Sequence, residues 1–275
     1  NISGKTRKGL YWNLIFKVPY EIARFSVSIV IARILDPIDF GIVSVATILM
    51  YYANSITNLG LNQALVQKDR IASIHVNSVF SVDLAVSFFM AIFFIIFSKD
   101  IAGFFNSPKS DLVIKIMSLT FLLTTFYELP AALLRREMNF KVTSIVDTCR
   151  ESMIFIITLI LAYSGFGYWA IVWGTIIPLF LGSVCLCMVT RWAPKLQFQL
   201  SAIRELYDFG LWSFLRGQLY FFGGRLDRLL AGKFFGPSVL GVYDKAKSFA
   251  QLPNENVTWQ LNIVFFLHSP DYRIA

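Results

Sequence analysis

Residues 77–98 read NSVFSVDLAVSFFMAIFFIIFS, and this stretch decides the fold. Its length suits the hydrocarbon core of a bilayer, which takes roughly 20 apolar residues in a helix. It lacks the alternation of a barrel strand of about ten residues. A helix is therefore predicted, because a spanning segment must satisfy its own backbone hydrogen bonds. One charge, Asp83, lies inside it. A charge at mid-bilayer depth costs about 2.5–3.5 kcal/mol on insertion scales, so such a residue belongs on a face turned to a bundle interior or aqueous cavity.

Similar blocks lie on both sides of this one. Helices are predicted near 9–32, 39–62, 112–133, 145–163, 167–190, 206–233 and 237–260. Asp36-Pro37, Asn106-Ser107-Pro108, Gly165-Phe166-Gly167 and Gly236-Pro237 punctuate them as short turns between helical hairpins. The fold class expected is all-α: a polytopic transmembrane bundle of about eight helices. Composition agrees, with 56% hydrophobic and 15% charged residues, against about 45–50% and 25% in soluble domains.

The net charge of +8 is explained by position rather than by a nucleic-acid partner. Lys5, Arg7, Lys8, Lys68, Arg70, Arg135, Arg136, Lys141, Arg191, Lys195 and Arg204 fall at one set of helix ends; Arg33, Lys99, Lys109, Lys115 and Lys233 fall at the other. Eleven against five predicts a cytoplasmic N-terminus. Tyr168, Trp169 and Trp192 sit at predicted ends as interfacial anchors. The connection from Arg191 to Arg204 reads either as an amphipathic segment at the interface or as a plain loop. Cys149, Cys185 and Cys187 read as small apolar residues. No cleavable signal peptide is expected, because the first apolar block is long and carries charges. The two histidines, His75 and His268, both lie at segment ends and build no catalytic or metal cluster. No metal, cofactor or enzymatic activity is expected.

The intramembrane charges are the candidate functional residues. Lys17, Glu21 and Arg24 stand at i, i+4 and i+7 on one face of the first helix, around Pro19, which interrupts its hydrogen-bond ladder. That face is net positive and suits either a pathway or an internal ion pair. Asp83 and Glu128 lie in the third and fourth predicted helices. Asp147, Arg150 and Glu151 share a stripe near the start of the fifth, where they either face inward or snorkel to the surface. Arg216, Arg225, Asp227 and Arg228 mark the seventh, and Asp244, Lys245 and Lys247 the eighth. Converging on one cavity, these cations would attract phosphate, diphosphate or an acidic sugar, which the guanidinium fork binds with two parallel hydrogen bonds. Substrate contacts are expected at Lys17, Arg24, Arg216, Arg225 and Lys245, and coupling to a proton or sodium gradient at Glu21, Asp83, Glu128 and Asp227. Gly60, Gly174 and Gly182 read as sites of close helix packing.

A series of short stretches adds a resemblance. These are Gly9 to Trp12, Ile31-Ala32-Arg33-Ile34-Leu35-Asp36-Pro37 with Phe40-Gly41, and Leu59-Gly60-Leu61-Asn62-Gln63-Ala64-Leu65-Val66-Gln67. Leu134 to Lys141, Gly165 to Ala170, Leu226 to Lys233 and Leu240 to Ala246 follow in order. Across nearly its whole length the chain resembles the O-antigen and exopolysaccharide flippases of the multidrug/oligosaccharidyl-lipid/polysaccharide exporter superfamily. The resemblance implies translocation of an undecaprenyl-diphosphate-linked oligosaccharide from the cytoplasmic to the outer leaflet of a bacterial inner membrane by alternating access. Membrane lipids, a coupling ion and polysaccharide polymerase machinery would be partners. It also implies residues 1–190 as a six-helix bundle, 191–205 as a cytoplasmic or interfacial connection and 206–275 as the first helices of a second bundle. Members of this kind are usually longer, so a partial second bundle is expected, and residues 262–275 depart from the pattern. A peptidoglycan-precursor flippase and a cation-coupled drug antiporter of the same superfamily remain open. A membrane-embedded glycosyl- or acyltransferase is the remote alternative.

Overall fold

The computed structural model describes residues 23–57, 59–68 and 70–253; the side chains at 208, 209, 220–222, 225 and 251–253 are not among them. The regular structure of the described residues is helical throughout. A first helix, α1, covers residues 23–34. Then come α2 (Pro37–Thr57), α3 (Leu61–Gln67), α4 (Ser73–Ile96), α5 (Ser98–Phe104), α6 (Ser110–Met117) and α7 (Leu119–Arg136). The chain continues through α8 (Phe140–Tyr163), α9 (Trp169–Thr190) and α10 (Leu200–Pro253). Among the described residues, four spans are long and apolar enough to cross a membrane: Pro37–Thr57, Ser73–Ile96, Ser110–Arg136 and Trp169–Thr190. The protein is a helical membrane bundle, as its composition foretold.

The predicted turns stop helices where expected. Pro37 opens α2, where its missing N–H has no intrahelical partner to lose. Asn106, with φ of 51°, ends the α5 turn, and Gly165 and Gly167, both at positive φ, turn α8 into α9. Gly236, at φ 77° and ψ 177°, breaks α10 into two arms. The arms fold back as an antiparallel hairpin, since Asp227 on the first meets Tyr243 and Lys247 on the second, each at 2.5 Å. Other boundaries differ from the prediction. The second span ends at Thr57 rather than near 62, because Leu59 and Gly60 both adopt positive φ and start the separate short helix α3. The fourth is divided at Ser118, where α6 hands over to α7.

At the centre stands α2, buried on nearly every side. Ile42, Val43, Ala46 and Met50 pack with Phe94 of α4, Ile114 of α6, Phe121 of α7 and Val172 of α9. Its opposite face sets Val45 and Ile48 against Leu240 of the α10 hairpin. This second contact is made backbone to backbone. A Cβ on Gly41 would overlap the Pro237 carbonyl, and one on Gly241 would overlap that of Pro37. At the other end of α2, Gly60 lies as close to the Gly210 carbonyl. Small residues permit this approach, as they do generally between membrane helices.

The outward face of the bundle is apolar, and the inward face of α4 is partly polar. On α4, Asp83, Ser87 and Ala91 are buried at i, i+4 and i+8. Phe89, Phe93 and Ile96 form the opposite stripe, with Phe89 72% exposed. Ser87 and Thr125 of α7 share a buried hydrogen bond of 2.8 Å.

After α9, residues 192–199 run without regular structure as an extended strap along α4. The backbone N–H of Gln197 donates to Ser81 Oγ at 3.1 Å, and that of Gln199 to Ser78 Oγ at 3.0 Å. Trp192 packs edge-on against Phe80, with ring centroids 5.0 Å apart. Beyond the strap, Glu205 closes a clasp with Lys68 and with His75, the latter at 3.2 Å. These two partners, Lys68 first, hold the Glu205 carboxyl below its ordinary range. A depressed folded-state value means the clasp is complete above the usual glutamate value of about 4.3 and is lost as pH falls through the lower folded value. A Glu205→Gln chain should therefore show faster proteolysis within 192–199 at neutral pH, and the unmodified chain should approach that rate only in acid. Equal cleavage at neutral pH would dismiss the clasp.

Candidate functional site

The predicted site residues do not all meet at one place. Lys17 and Glu21 lie outside the described residues, and the side chain of Arg225 is likewise not described. Arg24 on α1 faces Glu151 of α8 at 3.7 Å and lies 6.0 Å from the Phe155 ring centroid. Arg216 is exposed on α10. Lys245 holds its ammonium 4.4 Å from the centroid of Phe40 at the start of α2. Asp227 is engaged within the hairpin by Lys247 and Tyr243. Arg228 pairs with Asp244 at 3.0 Å, and Asp244 also accepts a 3.1 Å hydrogen bond from Ser44 of α2. Much of the positive charge predicted for the last two helices is thus neutralised inside the hairpin.

Asp83 and Glu128, by contrast, line one recess. Asp83 is 3% exposed, and Asn62 of α3 donates to its Oδ2 at 2.9 Å. Among the described residues its Oδ1 has no hydrogen-bond partner. Thr57, Ser87, Thr124 and Thr125 complete the recess around the two carboxyl groups. This is an all-oxygen surrounding apart from the Asn62 amide, and it suits a proton or a hard monovalent cation. Glu128 also looks outward, where Arg135, further along α7, pairs with it at 3.0 Å. The neighbouring Arg136 donates to the Leu65 carbonyl at 2.8 Å and to that of Lys68. It thereby caps the free carbonyls at the C-terminal end of α3 and holds Asn62 in register beneath Asp83.

A larger cavity of about 390 Å³ opens between α2, α6, α7, α8 and α9. Tyr51 and Asn54 line it from α2, Thr124 and Tyr127 from α7, Arg150 from α8 and Thr175 from α9. Glu128 borders both this cavity and the Asp83 recess. Sequence reasoning left the orientation of Arg150 open; its guanidinium carbon lies 5.1 Å from the Tyr127 ring centroid and turns inward. The tyrosines and Asn54 carried no sequence signal, since neutral side chains in an apolar block look like ordinary helix content. The i, i+3 spacing of Ser55, which receives Gln218 at 3.1 Å, and Tyr52 is equally silent.

Comparison with known proteins places the chain. Residues 30–269 match the family model described as polysaccharide biosynthesis protein. Among curated proteins, the succinoglycan biosynthesis transport protein ExoT of Rhizobium meliloti is 28% identical, over 93% of this chain and 52% of its own length. The lipopolysaccharide biosynthesis protein WzxC of Escherichia coli is 21% identical, over 90% of this chain and 51% of its own. The teichuronic acid biosynthesis protein TuaB of Bacillus subtilis is 20% identical, over 74% and 42% respectively. The chain thus spans about half the length of the curated relatives it matches. No solved structure matches it.

Proposed function

The chain belongs to the polysaccharide biosynthesis protein family, and on that premise we propose that it takes part in moving a lipid-linked oligosaccharide across a bacterial inner membrane. The observation that carries this reading is a polar cavity and a carboxylate recess set within an otherwise apolar bundle. A cavity with an inward guanidinium adjoins a buried carboxylate recess, and both open between helices whose outer faces are phenylalanine and isoleucine. The relative ExoT, named as a transport protein, supports the same reading. In this proposal the substrate is an undecaprenyl-diphosphate oligosaccharide. Its charged head group enters from the cytoplasmic side, where the N-terminus lies, and its tail stays in lipid.

Residues 1–190 form the first bundle in this proposal, 191–205 the connection, and the α10 hairpin belongs to a second bundle docked on α2. In the same proposal Arg24, Arg216 and Lys245 draw the diphosphate inward. The bundles rock about the α2 seam, and a proton or sodium ion at Asp83 and Glu128 resets the carrier. Polymerase machinery would receive the product at the outer leaflet.

Deleting the gene should cause the lipid-linked oligosaccharide to accumulate and surface polymer to fall, and the native gene should restore it. Arg24→Ala should restore surface polymer at least about tenfold less well at equal protein abundance, the loss of one charge-assisted contact. Undiminished surface polymer in the deletion strain would refute the transport reading. Full restoration by Arg24→Ala would remove Arg24 from the path.

A further inference from the structure

The cavity between α2, α7, α8 and α9 is lined by a cation, Arg150, with which no described carboxylate makes a direct ion pair. Arg150 makes no salt bridge among the described residues, and its Nε has no hydrogen-bond partner. The carboxylates around it have direct partners of their own. Asp147 accepts the hydrogen bond of the Tyr127 hydroxyl. Glu151 faces Arg24 at 3.7 Å, and Glu128 pairs with Arg135 at 3.0 Å. A half-buried guanidinium with no direct ion pair keeps hydrogen-bonding capacity for an anion. One ring contact, and the room left around it, hold the side chain in place. The Tyr127 ring lies beneath it at 5.1 Å, a distance at which the ring face attracts a cation. Asp147 fixes that ring through its hydroxyl. Gly182 of α9 leaves the room, since a Cβ there would lie 3.0 Å from the Tyr127 ring and 3.5 Å from Arg150 Cδ.

Apart from Arg150 and Glu128, which pairs with Arg135, the polar lining is neutral. Tyr51, Asn54, Thr124 and Thr175 offer neutral hydroxyl and amide groups, which donate and accept and so match the hydroxyls of a sugar. The volume of about 390 Å³ falls within the ordinary range for a small-ligand site. We propose that this cavity is a subsite for a glycosyl phosphate, with Arg150 taking the phosphate oxygens and Tyr51, Asn54 and the threonines taking the adjoining sugar. The inference rests on the transport reading above and adds to it where the head group is held.

The test is equilibrium binding to the full chain in phosphatidylcholine nanodiscs, using three probes with one tail: geranyl diphospho-glucose, geranyl diphosphate and geranyl glucoside. The first should bind at least about tenfold more tightly than either of the others, because only it engages both halves of the site. Arg150→Gln should weaken geranyl diphospho-glucose by about 10- to 100-fold and leave geranyl glucoside unchanged, while Arg150→Lys recovers part of the loss. Asn54→Ala probes the sugar half without touching the cation and should weaken the first probe while sparing geranyl diphosphate. Equal affinity for the three probes, native affinity in Arg150→Gln, or geranyl diphosphate binding as tightly as the glycosylated probe would each overturn the proposal. The last would mark a plain anion site of the kind a phospholipid head group fills. Surface polymer separates this outcome from failure of the transport reading. If the native gene restores polymer but Arg150→Gln binds and exports normally, only the subsite falls. If the native gene restores nothing, the transport reading falls with it.

Discussion

Valine at position 41 should detach the α10 hairpin from α2. Gly41 faces Pro237, and a Cβ there would overlap the carbonyl oxygen, carbonyl carbon and Cα of that residue. All three are backbone atoms, so no rotamer change relieves the clash. The reciprocal contact is just as tight, because Gly241 lies against the backbone of Pro37 and Gly41. The hairpin must move as a unit, and Leu240, now fully buried against Val45 and Ile48, would be uncovered. The Ser44–Asp244 hydrogen bond of 3.1 Å would be broken with it. Overpacking of side chains typically costs about 1–3 kcal/mol, and a backbone clash belongs at or above the upper end of that range. Cysteines placed at 44 and 244 should form a disulfide readily in the otherwise native chain and poorly with Gly41→Val. Equal cross-linking in the two would show that the seam tolerates the added atoms.

The second large effect is expected at Asp83. The carboxylate is wholly inside the bundle and receives the Asn62 amide at 2.9 Å. Asp83→Ala leaves that donor without its acceptor and should destabilise the bundle by about 1–3 kcal/mol, the cost of a stranded buried polar group. Asp83→Asn keeps the shape but cannot carry a negative charge or exchange a proton. It should therefore approach the thermal stability of the native chain while transport falls by at least about tenfold, a loss of one charge-dependent step. The pair of substitutions separates a structural carboxylate from a functional one. If Asp83→Asn transports normally, the coupling role passes away from this residue, and if Asp83→Ala unfolds at the native temperature, the Asn62 contact is unimportant.

Much of this arrangement was legible in the chain itself. Length and apolarity identified the spans, and Gly236-Pro237 and Asp36-Pro37 marked turns because their backbone preferences are local. Asp83 and Glu128 stood out because a carboxylate inside an apolar block is costly wherever its helix packs. Pairing was harder to read. Asp227 meets Lys247 and Arg228 meets Asp244 only after the hairpin sets its register, so these charges looked like cavity cations and anions when taken singly. Arg150 shows the converse. Its position near a helix end fits a snorkelling side chain as well as an inward one, and what turns it inward is the space left by Gly182 and the face of Tyr127, 32 and 23 residues away in sequence. The start of α3 was hidden for a different reason, since Leu59 shares the positive φ of Gly60 although nothing in a leucine announces it.

The most direct measurement places the purified chain in vesicles loaded in both leaflets with a fluorescent undecaprenyl-diphosphate oligosaccharide, then adds an impermeant reductant outside. A protein that moves this lipid should carry inner-leaflet probe outward, so that bleaching proceeds past the outer leaflet, and Arg150→Gln should slow that second phase. Bleaching that halts at the outer leaflet with the native chain, as in protein-free vesicles, would contradict the account.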